Sequence, residues 1–343
     1  MAAMRDFFAS LFGEDPKPQA PAGAPEDGGP AAAGPRRRAR PEPTPALVGP
    51  YGKGDRIGDK YVVMGVLGAG GFGVVYLAHN SDANETCALK TFHERFLADA
   101  AAREAFKKEA LLWVRLEEHP FILAARWVEE VSGRLFVQMD YVPPDEEGRV
   151  TLQDHLTGGV PVKAEQALAW AIQFCHGMEY AGANSLKCHR DIKPNIILVA
   201  SDQALKISDF GLAAAAEGAW RAGGRVGPLV SASQGRVGLS LIETGGKGCC
   251  GTPGYIAPEV YEGRGADVRS DIYSFGLVLW QMASGSPAPP FHAAEVEYRG
   301  DTEAYAREYQ AKVYEKQRTT PAAWSRLAKR AHSHWVFWVS VAS

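Results

Sequence analysis

Gly68-Ala69-Gly70-Gly71-Phe72-Gly73 is a glycine run with strand-type sequence on both sides, and it restricts the fold more than any other feature of the chain. Residues 61–67 and 74–79 are short apolar runs rich in Val, Tyr and Leu, so the glycines read as the turn of an antiparallel hairpin. Glycine there lets the backbone lie close over a ligand with its N–H groups facing anionic oxygens. A similar run between a strand and a helix would suggest a dinucleotide fold, but here a second strand follows and no acidic residue is placed for a ribose. A third strand, 86–91, carries Ala88 and Lys90, and the helical pattern of 98–116 offers Glu109, nineteen residues after Lys90. In that helix Phe106, Ala110, Leu111, Trp113 and Val114 recur at helical spacing with charges between them. Runs at 124–130 and 134–141 complete the sheet, and after Pro143 and Pro144 the pattern turns helical, most clearly at 163–180 and 270–284. The expected architecture is α+β: a small antiparallel β-lobe over 56–142 with one main helix, then a larger, mostly helical lobe over 143–335.

Composition narrows the function classes. With 343 residues, 46% hydrophobic and 22% charged, the chain has core material for one large or two modest domains. A formal net charge of -3 gives no basic footprint, so nucleic acid is not an expected partner. Cys87, Cys175, Cys188, Cys249 and Cys250 form no CxxC pair and no ligand-spaced set with histidine, which predicts neither a zinc site nor a disulfide framework and suits a reducing cytosol. No stretch approaches the run of about 20 apolar residues that spans a bilayer, and the start lacks the order of a secretory signal, so a cytoplasmic protein with no transmembrane segment is expected. Residues 1–55 read as a tail without a fold, dominated by Ala, Pro and Gly. Within it Met4, Phe7, Phe8, Leu11 and Phe12 fall near one helical face, and Arg36, Arg37, Arg38 and Arg40 cluster, either of which suits an anionic membrane or a partner. An unstructured leader with a solvated charge run is the simpler reading.

The chemistry-bearing residues follow in order. His189-Arg190-Asp191 continues as Ile192, Lys193 and Pro194, and Asp209-Phe210-Gly211 comes eighteen residues after Asp191. With the glycine hairpin, Lys90 and Glu109, this set resembles the eukaryotic-type (Hanks-type) protein kinases of the serine/threonine class, bacterial members included, over roughly 61–285. The resemblance implies that Lys90, held by Glu109, faces the α- and β-phosphates of ATP beneath Gly68, Gly70 and Gly73. It implies that Asp191 accepts the proton of a protein Ser/Thr hydroxyl, that Lys193 neutralises the transferred γ-phosphoryl, and that Asp209 holds Mg2+. Arg190 would pair with an activation-loop phosphate. Val75, Ala88 and Leu198 would sandwich the adenine, with Met139 beside it and the backbone of Asp140 and Val142 reading its edge.

The chain departs from the family pattern at one position. The second Mg2+ ligand, an asparagine five residues after the catalytic aspartate, is replaced by Ile196, and asparagine comes one residue early as Asn195, which serves only if the loop slips. Two functions are therefore carried: an ATP-dependent protein serine/threonine kinase, able to autophosphorylate, and a pseudokinase that binds nucleotide as a scaffold. A small-molecule phosphotransferase ranks below both, because the stretch from Gly251 to Glu259, GTPGYIAPE, resembles the end of a protein-kinase activation segment. There Thr252 is expected near Asp191 and Lys193, and Glu259 beside an arginine. Between Gly211 and this motif a long Gly/Ala-rich loop holds Ser231, Ser233, Ser240 and Thr244, with Thr244 the candidate phosphosite. Asp271 opens a helix expected to brace the catalytic loop. Beyond Ser286 the likeness fades, and the closing Trp335, Phe337 and Trp338 suggest an atypical end to the large lobe.

Overall fold

The computed structural model describes residues 49–70, 73–94, 100–211, 213–215, 229–233, 236–243 and 250–320. The N-terminal aromatic and arginine clusters, Thr244, and Trp335, Phe337 and Trp338 lie outside them.

Six strands form one antiparallel sheet: β1 (Arg56–Ile57), β2 (Tyr61–Ala69), β3 (Gly73–Asn80), β4 (Glu85–Phe92), β5 (Ala125–Val131) and β6 (Arg134–Asp140), in the order β1-β2-β3-β4-β6-β5. Alternation along β3 sets its two faces, which is why Tyr76 and Ala78 are buried on one while Val75 turns to the other. The inner face packs on helix α1 (Ala100–Val114), where the Phe92 and Phe106 rings lie 4.7 Å apart and the Trp113 indole donates to the Leu123 carbonyl at 2.8 Å. Each such fully buried aromatic contributes about 1.5–3 kcal/mol over an exposed one.

The outer face buries Tyr61, Tyr76, Leu89 and Phe136, and Tyr51 packs against it with its ring 5.9 Å from Tyr76 and 6.0 Å from Phe136. Gly54 N–H donates to Val63 O and Val63 N–H to Asp55 O, so residues 51–55, assigned to the tail on composition, form part of the folded unit. Their few apolar side chains carry no periodic signal. What holds them is a surface assembled from distant strands.

The larger lobe is built on α2 (Leu152–Leu156), α3 (Ala164–Ala183), α4 (Pro258–Tyr261), α5 (Val268–Ser284) and α6 (Thr302–Thr319). Helix α5 begins in a capping box of Asp267 and Ser270 and stops at Gly285. Gly285 has φ +69°, and a Cβ there would stand 2.6 Å from the Pro161 nitrogen, so only glycine fits this stop. Phe174 of α3 stacks on Phe275 of α5 at 3.7 Å, in an apolar core continuous with the inner face of the sheet.

Two short strands, β7 (Ile197–Val199) and β8 (Leu205–Ile207), pair antiparallel, and β8 is tied to the segment before β5 by Leu123 N–H to Ile207 O and Ile207 N–H to Phe121 O. That tie fixes Asp209 under the sheet. The region expected to be a long loop holds a β-hairpin instead: β9 (Leu229–Ser233) pairs with β10 (Arg236–Glu243), which pairs with β11 (Cys250–Gly251). The signal was present, since Gln234-Gly235 separates two alternating runs by two residues.

Candidate active site

Asp191 is 5% exposed and sits in a net of short hydrogen bonds. Lys193 Nζ donates to Asp191 Oδ2 at 2.6 Å and to Thr252 Oγ1 at 2.7 Å, while Thr252 donates to Asp191 Oδ1 through both its hydroxyl, at 2.6 Å, and its N–H, at 3.1 Å. These bonds join the loop that carries His189, Arg190 and Asp191 to the stretch that begins at Gly251. Beneath them Asp271, from the first turn of α5, accepts His189 N–H at 2.6 Å and Arg190 N–H at 2.8 Å, one on each oxygen. Arg190 has φ +71°, a conformation that costs a non-glycine residue about 1–2 kcal/mol and that the two-point clamp supports. Burial pushes the Asp271 carboxyl above its ordinary value, while His189, Arg190 and the two N–H donors pull it back. His189 is itself fixed by a 2.8 Å hydrogen bond between its Nε2 and the Ser208 carbonyl.

Lys90 reaches the site from the middle of β4, opposite Val75, and its ammonium forms an ion pair with Asp209 Oδ2 at 2.7 Å. The expected pair with Glu109 is not among the ion pairs of the described residues. A Cβ on Gly211 would lie 2.7 Å from Glu109 Oε2, so the Glu109 carboxylate is seated over Gly211. Burial raises its pKa, and the charges of Arg190 and Lys108 lower it. Sequence spacing placed Glu109 on the right helix, but whether its carboxylate meets Lys90 depends on the seat of α1. Phe210 is fully buried between the His189 ring, 5.0 Å away, and the Trp113 indole, 6.3 Å away, so an aromatic column joins the loop of His189 and Asp191 to α1. Trp113 was legible in sequence only as core.

Gly68 and Gly70 lie at the end of β2 and Gly73 opens β3, with Gly68 paired to Val75 and Gly70 N–H donating to Gly73 O at 2.9 Å. Gly73 is required sterically: a Cβ there would fall 1.8 Å from the Thr91 carbonyl oxygen. Gly68 and Gly70 face open space, as backbone meant to approach a ligand requires. His93, a residue the sequence reading missed, bonds the Gly70 carbonyl through Nε2 at 2.8 Å. Together Gly73 and His93 hold the hairpin tip against the end of β4.

Of the expected adenine-binding residues, Ala88, Met139 and Val142 belong to the apolar core that runs through both lobes, and Val75 and Leu198 pack against that core from β3 and β7. Asp140 donates its N–H to Ala124 O, and its carboxylate is held by Arg126 through Nε at 2.6 Å and Nη2 at 2.8 Å, leaving the connection between the lobes stiffened. Arg126 also pairs with Glu118. Its role was not legible because its partners are 8 and 14 residues away on other elements.

The metal-ligand expectations divide. Asp209 is accessible at the end of β8 with its side chain 24% exposed, and φ +65° aims it out of the strand direction. Ile196 is buried, and Asn195 lies exposed in the turn Pro194–Ile196, so the loop slip that would seat Asn195 has not occurred. A triphosphate fits the charge of the site, which offers the buried Lys90 ammonium and the open backbone of Gly68 and Gly70. One Mg2+ fits as well, because this ion needs only one or two carboxylates beside phosphates and waters.

The protein kinase domain family model matches residues 61–333. CBL-interacting protein kinase 15 of Oryza sativa subsp. japonica is 30% identical over 235 residues, covering 68% of this chain and 48% of that protein. CBL-interacting serine/threonine-protein kinase 10 of Arabidopsis thaliana is 31% identical over 235 residues, covering 68% of this chain and 43% of the relative. The chain thus spans about half the length of the curated relatives it matches. Among solved structures, a double mutant of the Mycobacterium tuberculosis PknI kinase domain aligns with a TM-score of 0.52 and 21% identity over 85% of this chain and 99% of that one, a likeness of fold.

Proposed function

The chain belongs to the protein kinase family, and from that premise we propose that it transfers the γ-phosphoryl group of ATP to serine and threonine hydroxyls of protein substrates. The observation that carries this reading is the Asp191–Lys193–Thr252 net braced by Asp271, because phosphoryl transfer asks chiefly for positioned charge. Asp191 orients the acceptor hydroxyl and takes its proton as the new P–O bond forms and the bond to the ADP leaving oxygen breaks. Lys193 offsets negative charge on the phosphoryl group in transit, and Thr252 keeps both side chains in register. Lys90 exchanges its bond with Asp209 for the α- and β-phosphates. Asp209 would hold a magnesium ion, which would supply neutralisation of the phosphate oxygens. The lysine two residues after the catalytic aspartate, and the serine/threonine kinases among the relatives, support the hydroxyl class.

One observation favours a second reading, a nucleotide-binding pseudokinase: the buried Ile196 in place of a metal ligand. Incubation with γ-labelled ATP, Mg2+ and a generic acceptor protein, followed by phosphoamino-acid analysis, separates them. Phosphoserine and phosphothreonine are the expected products. Nucleotide binding without any label would favour the scaffold.

A further inference from the structure

Kinase sites use two magnesium ions, one on the aspartate of the Asp-Phe-Gly motif and one on the asparagine of the catalytic loop. We propose that this chain holds a single divalent ion with its nucleotide, a proposal that rests on the nucleotide-binding reading above.

The first support is positional. Ser208 donates to the Ile196 carbonyl twice, through its N–H at 2.9 Å and its hydroxyl at 2.8 Å, and Ser208 is the neighbour of Asp209 in the chain. Position 196 is thereby pinned beside Asp209, where the second ligand belongs. Its side chain is a hydrocarbon, 4% exposed and packed in the apolar core, and offers no lone pair.

The second support is that, among the described residues, no other ligand takes its place. Asn195 is exposed, in a tight turn in which neighbouring side chains diverge by about 120°. The turn is closed by Ile196 N–H to Lys193 O at 3.2 Å and by Ile197 N–H to Pro194 O. Moving Asn195 into place would break these bonds and both from Ser208, and would expose Ile196. Asp191 is engaged by Lys193 and Thr252. Among the described residues no group of three His, Cys, Asp or Glu side chains is arranged to hold a metal ion. Asp209, 24% exposed, remains the described carboxylate placed to hold an ion there, since Glu109 is seated over Gly211 on the side of α1.

The test counts ions rather than turnover. Wild-type protein saturated with the non-hydrolysable analogue AMP-PNP is titrated with Mn2+, bound and free ion being separated by electron paramagnetic resonance, with nucleotide binding followed independently by calorimetry. One Mn2+ per bound nucleotide is expected in wild type and in Asn195→Ala, and two in Ile196→Asn. Two in wild type, a drop in Asn195→Ala, or one in a folded Ile196→Asn would each overturn the proposal. Because Ile196→Asn places an amide in the core, its melting is checked first, and the wild-type and Asn195→Ala counts decide the matter if it does not fold. Failure to bind AMP-PNP at all would remove the nucleotide reading itself, and is visible separately in the calorimetry.

Discussion

Replacing Asp271 with asparagine removes one charge and changes almost no volume, so its cost is set by two hydrogen bonds. The carboxylate accepts His189 N–H and Arg190 N–H, one per oxygen, at 2.6 and 2.8 Å. Hydrogen bonds to a charged group contribute about 1.5–3 kcal/mol each, and neutral ones about 1 kcal/mol. Asparagine keeps one acceptor and turns an NH2 donor toward the other N–H, so one bond weakens and the second becomes an unsatisfied buried donor pair. Relief of the carboxylate's own burial, which already pushes its pKa up, offsets part of the loss. The net expectation is a destabilisation of about 2–4 kcal/mol, read as a fall in Tm of about 4–12 °C. Arg190 then has less to hold its left-handed backbone, and Asp191 is displaced with it. A displacement approaching 1 Å costs about 100-fold, so kcat should fall by one to two orders of magnitude. The KM for ATP should change little, because Lys90 and the glycine hairpin stand on other elements. Thermal melting and steady-state kinetics on Asp271→Asn measure both effects. A variant that melts within 1 °C of wild type with unchanged kcat would refute the clamp.

Three further outcomes are expected. Gly73→Ala forces a Cβ to 1.8 Å from the Thr91 carbonyl, so β3 must separate from β4 at the hairpin tip, and ATP affinity measured by calorimetry should drop at least tenfold while the melting of the large-lobe helices is retained. His93→Ala frees the Gly70 carbonyl, a loss of about 0.5–1.5 kcal/mol, so the KM for ATP should rise about 2- to 10-fold with kcat nearly constant, and His93→Gln should recover part of it. Burial, followed by the charge of Arg149, depresses His155, against the opposing pull of Asp145, Asp154 and Glu147. Because the folded state binds the proton more weakly, stability is fully present above the ordinary histidine value of about 6.5 and is lost as pH falls below it. Wild type should therefore lose more Tm than His155→Phe between pH 7.5 and 5.5, and parallel losses would contradict this.

The parts of the site legible in sequence are those whose meaning is local. The hairpin glycines lie between two strands that pair with each other, and Asp191, Lys193 and Asp209 sit at fixed separations on short connections, so order and spacing point to them. Ile196 was legible for the same reason. The parts that were not legible depend on how elements seat on one another. Glu109 is on the expected helix, yet its carboxylate lies over Gly211 while Lys90 pairs with Asp209. His93 and Gly70 are 23 residues apart, and no pattern in either segment announces the bond. Tyr51 was assigned to a tail because the surface that captures it is built by β2, β3 and β6. The β9–β10 hairpin is a different case, since its alternating runs and Gln-Gly turn were readable but were outweighed by the glycine and alanine content of the segment around them.

The most direct test of the proposed activity is single-turnover transfer of labelled γ-phosphate from ATP to an acceptor protein, with Mg2+, by wild type beside Asp191→Asn. Label on serine and threonine with wild type, reduced about 100- to 10,000-fold in Asp191→Asn while nucleotide binding is unchanged, is the predicted result. Equal label with both proteins, or none with wild type while ATP is bound, would contradict it.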